Sequence, residues 1–401
     1  MKNSLYGLFA LLMIGTLTSC RKDFKNVPEY SLRIATIFPS NYLKQEANDV
    51  DLIITNNITR AEYTGVSDEN GIYTFSGVMA GSYKISARRY VSPSEAYELT
   101  GIPDVYYYLN GDTSLVVGAD GTLPVQLSGT PNRGLVFKEL YYTGSRTPAG
   151  GTYFSDQFYE IYNNSSEILY ADSLCIGNTG GANGSSATAT PYGFRSDNDN
   201  VYLQNVWMVP GSGTDYPILP GQSIIIAQDG IDHITDVNGN PASPVNLGPG
   251  IADFESYVPR ADNRDLDAAE VPNLIPIYLG SVGFDWLTAV FGPGMVIFKH
   301  PDPMNLALVR EPGVTSTAEY MQVPVDYVYD AVDALANERS FGFKRLPTSL
   351  DAGFINCSGT YVGESIRRKI ERTENGRIIV WDTNNTSFDF EVLTKPTPKS
   401  W

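Results

Sequence analysis

The chain has 401 residues, a formal net charge of −17, and 37 Gly, 25 Pro and 26 Tyr, with charged residues at only 18%. So acidic a surface repels phosphate backbones, which argues against a nucleic-acid partner. Abundant turn formers and tyrosines describe an all-β chain, too long for one core and divided into two or more domains.

The chain opens with a targeting signal. Lys2 precedes an apolar stretch from Leu5 to Thr18, which closes on Leu17-Thr18-Ser19-Cys20. A basic start, a short apolar run and small residues before a cut form a secretory signal, too short to span a bilayer. A cysteine at the cut marks a bacterial lipoprotein signal. Residues 1–19 would be removed, Cys20 would carry the lipid, and residues 20–30 would form a polar tether. With Cys20 modified, Cys175 and Cys357 remain. They are either a disulfide formed in an oxidising compartment or two buried thiols too far apart to pair.

Short strands follow. Leu32 to Ile37 alternates loosely, and Val50 to Ile54 comes after a polar turn. Asn70-Gly71 supplies a tight turn, because both residues tolerate positive φ. Tyr73 and Phe75 then alternate inward, and Ala80-Gly81 turns into a strand carrying Tyr83 and Ile85 on one face. The pattern of Asp68, Gly71, Tyr73, Phe75, Gly81 and Tyr83 resembles the prealbumin-like, carboxypeptidase-regulatory type of β-sandwich over residues 31–129. Such domains are usually rigid spacers. Tyr97, Tyr106, Tyr107 and Tyr108 form a Tyr-rich insert, expected to be packed rather than to stack on sugars.

A Gly/Pro linker, Gly129 to Gly134, leads into a second domain over 134–398. Leu135 to Tyr142 reads as a strand, and Phe158-Tyr159-Glu160-Ile161-Tyr162-Asn163 as another. Pro220-Gly221 is a turn before the buried strand Ser223 to Ala227. With Asp382 to Phe390 and the prolines after it, these pieces resemble a lamin-tail-like, immunoglobulin-like sandwich. In that resemblance Glu160 is structural, and Lys138 stands where the pattern has Asn. A long insertion at about 228–305 interrupts it. The basic run Arg367-Arg368-Lys369 reads as a solvated strand face.

Two histidines, His233 and His300, leave no room for a zincin helix, and no nucleophile elbow or phosphate loop is present. No catalytic residue is assigned and no cofactor is required. Asp232, His233 and Asp236 form a weak candidate for a transition metal. Asp236 to Asn240 begins like a calcium loop, but Pro241 and Leu247 break the pattern, so a plain Asn-Gly turn is the simpler reading. The loop Ser196 to Asn200 is similar. Asp253, Glu255, Asp262, Asp265 and Trp286 are the candidate binding surface of the insertion.

A lipoprotein signal followed by these two domains resembles a family of Bacteroidota outer-membrane lipoproteins of unassigned function. The resemblance implies a lipid-anchored place in the outer membrane, on its periplasmic or cell-surface face, often beside a β-barrel nutrient transporter. The expected function is non-catalytic: binding an extracellular ligand, as an accessory to a TonB-dependent transporter. The alternative is a structural or adhesive lipoprotein that docks another protein or a glycan through an apolar face near Leu274 to Phe291. A secreted hydrolase would need two acids facing one cleft, which spacing does not specify.

Overall fold

The computed structural model describes residues 28–401 except 104, 263, 264, 266, 282, 284 and 287. The signal and Cys20 lie outside the described residues. Within them the regular secondary structure is almost wholly β-strand, arranged in several sheets. No helix among them is long and apolar enough to cross a membrane.

The first domain comprises β1 (Glu29–Ile37), β2 (Asp51–Asn56), β3 (Glu62–Val66), β4 (Ile72–Met79) and β5 (Gly81–Val91). Helix α1 (Pro93–Thr100), β6 (Tyr106–Val117), β7 (Gly121–Gln126) and β8 (Pro131–Asn132) complete it. One sheet runs β4-β1-β7 and the other β3-β2-β5-β6-β8. Period-two alternation puts Leu32, Ile34, Phe75, Tyr83 and Ile85 into the core between them. The turn before β4 forms as the sequence indicates. Gly71 adopts φ +72°, and the Asp68 carboxylate accepts from the backbone N–H groups of Asn70 and Ile72. In the Tyr-rich insert Tyr107 is buried, Tyr106 and Tyr108 pack with Tyr90, and Tyr97 lies exposed on α1.

The second domain is a larger sandwich. Its strands are β9 (Leu135–Tyr141), β10 (Phe158–Asn163), β11 (Cys175–Thr179), β12 (Asn200–Met208), β13 (Ser223–Ala227) and β14 (Phe254–Glu255). There follow β15 (Ile275–Leu279), β16 (Gly294–Phe298), β17 (Leu308–Arg310), β18 (Glu319–Pro324), β19 (Val328–Asp333), β20 (Ser365–Arg368) and β21 (Phe390–Leu393). One sheet has the order β14-β13-β10-β9-β20-β21 and the other β17-β18-β12-β11-β16-β19, with β15 beside β12. Phe137, Tyr159, Ile161, Ile176, Trp207, Ile226 and Ile297 fill the space between them.

Two of the buried ionic groups of this sandwich bear on the sequence readings. Lys138 Nζ donates to Glu160 Oε1 at 2.9 Å, both side chains being buried, and Ser223 Oγ donates to the same oxygen. Glu160 is therefore structural through a lysine partner. Arg368 corrects the solvated-face reading of its segment. Alternation along β20 turns Ile366 and Arg368 inward, and the guanidinium meets Asp330 at 2.5 Å, Asp382 at 3.1 Å and Asp389 at 3.2 Å. Such a charge is tolerable in the interior only because three carboxylates and the carbonyls of Phe137 and Trp381 surround it.

Both remaining cysteines are free, which decides against the disulfide. On β11, Ile176 points into the core between the sheets, while Cys175 points to the opposite face, packed with Leu346 and Leu350. Cys357 belongs to the inter-sheet core. The sheet itself stands between the two thiols.

The domains touch through a defined seam. Asn110 Nδ2 donates to the Thr383 carbonyl, Asn384 Nδ2 to the Tyr108 carbonyl, and Asn132 pairs with Asp382. Arg88 lies over the Phe388 ring. The path of the chain through the domains is directional. The described chain enters β1 at Glu29, whereas the opposite end of β1 lies beside Leu127, which leads into the linker. The linker enters the second sandwich at Leu135, the start of β9.

Candidate functional site

Beyond the far end of β9 the loops of the insertion converge. Tyr141 at that end hydrogen-bonds Asp156, which also accepts from Ser145 and Ser243, tying three loops to one carboxylate. Gln157 donates to the Tyr142 carbonyl and accepts from Gln228 and from the Thr288 hydroxyl. These bonds, with one from Gln228 to the Trp286 carbonyl, fix Trp286 and Thr288 against the strand ends. Trp286 locks it further: its indole N–H donates to Asn178 Oδ1 at 2.9 Å, and its ring packs on Tyr159 and Trp207.

The outcome is a group of three carboxylates, Asp229, Asp265 and Asp285, with oxygens within 4.8 Å of one another. Asp229 follows β13, Asp265 comes from the loop after β14, and Asp285 precedes Trp286. Asp265 and Asp285 are 3% and 2% exposed. Asp265 Oδ2 accepts from the Val258 N–H, and Asp285 Oδ2 from the Ser155 hydroxyl. Oδ1 of all three is buried and has no hydrogen-bond partner among the described residues. Glu255 stands behind them, paired in register with Ala227, and accepts from the N–H groups of Gly230 and Ala268. A Cβ at position 230 would lie 2.8 Å from Val271 Cγ2, so only glycine permits this close passage.

Burial dominates the electrostatics. It lifts Asp265 to about 7, with Asp285 adding to the rise, and lifts Asp285 to about 6. Asp229 is raised well above the usual carboxylate range, first by burial and then by Asp285, Asp265 and Glu255. Burial also raises Glu255, to about 7. Loss of hydration is the main physical cause, and for Asp229 and Asp265 repulsion from the neighbouring carboxylates adds to it. Among the described residues no lysine or arginine forms an ion pair with the three. Arg260, nearby, gives its guanidinium to Asp262 and to the Gly283 carbonyl.

The sequence-derived candidates distribute differently. His233 is buried and its pKa is pushed down to about 4 by that burial. Its Nδ1 pairs with the Tyr153 hydroxyl at 2.7 Å and its Nε2 with the Asp229 carbonyl at 3.1 Å. Asp232 caps the N–H of Ile234 and the hydroxyl of Thr235, and Asp236 caps the N–H of Asn238. The Asp232, His233, Asp236 metal site is thus corrected: both ring nitrogens are engaged and both acids close local turns. His233 instead buttresses the backbone of Asp229.

The binding-surface set is corrected in part. Trp286 and Glu255 are core residues. Between Leu274 and Phe291, Leu274 and Trp286 are buried whereas Leu279 and Phe291 are exposed, so the described apolar side chains of this run do not form one continuous face. Asp253 pairs with Lys399 and accepts from the Ile225 N–H. Asp262 pairs with Arg260. Only Asp265 joins the acidic group. Asp229 and Asp285 escaped notice because their neighbourhood is made by loops far apart in sequence, with no regular spacing. A pocket of about 220 Å³, lined by Tyr142, Val290, Phe291, Leu335, Cys357 and Thr360 among others, contains no carboxylate or imidazole.

Fold and site together define a tandem β-sandwich protein with a loop-built end that encloses a buried acidic group. The chain belongs to the DUF4876 family, whose model, described as a protein of unknown function, matches residues 219–397 and so spans all three acids. It is 30% identical to a DUF4876 family protein from Bacteroides thetaiotaomicron of known crystal structure, covering 90% of this chain and 94% of that one with a TM-score of 0.59. Two DUF3823 family structures were also matched. That from Parabacteroides merdae is 7% identical, with 77% and 99% coverage and a TM-score of 0.18. That from Bacteroides uniformis is 10% identical, with 77% and 100% coverage and a TM-score of 0.19. Their shapes differ too far to inform the site. No curated relative matches the chain.

Proposed function

We propose that this protein is a non-catalytic lipoprotein of the cell envelope, anchored through Cys20, that offers the loop-built end of its second sandwich to an extracellular ligand. In this reading the first domain is a prealbumin-like spacer and the second a lamin-tail-like sandwich carrying the recognition loops. The observation that carries it is the direction of the chain. The tether enters the first domain at the end of β1 remote from the linker, and the insertion loops gather beyond the end of β9 remote from the linker. Loops on a rigid scaffold, facing away from an anchor, suit capture. The seam between the domains supports a fixed spacing from the membrane. An outer-membrane β-barrel transporter of the TonB-dependent type is the partner proposed from the family resemblance.

Chemical crosslinking of intact outer membranes, followed by purification of this protein, tests the reading. Recovery with a β-barrel transporter at near-equal amount supports capture for uptake. Recovery alone, or with surface-layer proteins only, refutes the partnership and favours an adhesive scaffold.

A further inference from the structure

We infer that Asp229, Asp265 and Asp285 bind one divalent cation, calcium, which clasps the insertion loops to the end of the sandwich. Ionised carboxylates removed from water must be paired, protonated or bound to a metal. Here each of the three presents a buried Oδ1 that no donor among the described residues meets. For two of them a donor stands on the other oxygen: the Val258 N–H and the Ser155 hydroxyl hold the Oδ2 atoms of Asp265 and Asp285. Oriented ligands with one oxygen held and the other left open are what a metal site needs from its supporting groups.

Geometry and donor type select the ion. Oxygens within 4.8 Å of one another fit around a single centre at calcium–oxygen distances of about 2.3–2.6 Å, since opposite ligands then lie about 5 Å apart. Magnesium dehydrates reluctantly and keeps several waters, which a buried group of protein carboxylates suits less well than calcium. The set is all oxygen. The nearest imidazole, His233, spends both ring nitrogens on Tyr153 and on the Asp229 carbonyl, and no cysteine belongs to the group, so soft transition metals have no claim. Calcium takes six to eight oxygens, and water and backbone carbonyls would complete the shell.

The consequence is mechanical. The three ligands come from the turn after β13, the loop after β14 and the position before Trp286, three places well separated in sequence. One ion joins all three and offsets their repulsion. This inference does not depend on the lipid anchor or on a transporter.

Terbium luminescence on the purified full chain is the test. Trp286 adjoins Asp285 and would sensitise a bound Tb³⁺. The expected result is a saturable signal, displaced by Ca²⁺ but not by equal Mg²⁺, at one site per chain. Asp265→Asn and Asp285→Asn should each weaken binding at least tenfold, and Asp236→Asn should leave it unchanged. Thermal melting of the wild type provides a second readout that needs no variant to fold. EGTA should lower the melting temperature, and added Ca²⁺ should restore it. No calcium-displaced signal in the wild type, no response to EGTA and Ca²⁺, or a signal kept in both Asn variants would overturn the site.

Discussion

Replacing Arg368 by Met probes the ionic knot of the second sandwich. The side chain is 1% exposed, and its guanidinium contacts Asp330, Asp382 and Asp389 within 3.2 Å. It also donates to the carbonyls of Phe137 and Trp381. Removing one partner of a buried ion pair costs about 3–5 kcal/mol, because the other charge is left uncompensated. Here three acids and two carbonyls lose their donor, so the loss should reach the top of that range, about 5 kcal/mol. Arg367→Met is the matched control. Arg367 points the other way and pairs with the exposed Glu391, an interaction worth below about 1 kcal/mol. Trp207, Trp286 and Trp381 lie in the second domain and Trp401 packs on its Tyr162, so urea unfolding followed by tryptophan fluorescence reports that domain. A loss for Arg368→Met of less than about 1 kcal/mol, or equal to that of Arg367→Met, would refute the reasoning.

Three further outcomes are expected. Asp351 is buried, and burial holds its pKa at about 6 although it accepts from Thr386 and from the Asp333 N–H. Its folded value exceeds the unfolded value of about 3.9, so its contribution is complete below about 3.9 and lost as pH rises through 6. Between pH 7 and 4.5 the wild type should gain about 2 kcal/mol relative to Asp351→Asn, and parallel stability curves would count against this. Trp286→Ala should cost about 3–5 kcal/mol in urea unfolding through the void left beside Tyr159 and Trp207. A cost under about 0.5 kcal/mol would return Trp286 to the surface. Under denaturing, non-reducing conditions, alkylation should modify both Cys175 and Cys357, and protection of both would show a bridge.

Local chemistry made much of the fold legible. The Asn70-Gly71 turn, the inward Tyr83 and Ile85, and the strands around Phe137 and Ile225 all follow from turn residues and period-two alternation. Arg368 was readable as well, since it shares a face with Ile366, but a cluster of basic letters suggested solvent. Its three acids arrive from positions 330, 382 and 389, and only the folded sheet brings them together. The acidic group was harder. Asp265 stood out within an acid-rich loop, but Asp229 and Asp285 differ from other loop acids only by burial, which tertiary packing decides. His233 drew attention through its acidic neighbours in sequence, yet its partners are Tyr153, 80 positions away, and a backbone carbonyl.

The reading of the loop-built end as the working face is tested most directly by site-specific photocrosslinking in living cells. A photoreactive residue would replace either Val237, 94% exposed among the insertion loops, or Ile58, 84% exposed on the first domain. Capture of a β-barrel transporter from position 237 and not from position 58 is the expected result. Capture from position 58 alone, or from neither, would contradict it.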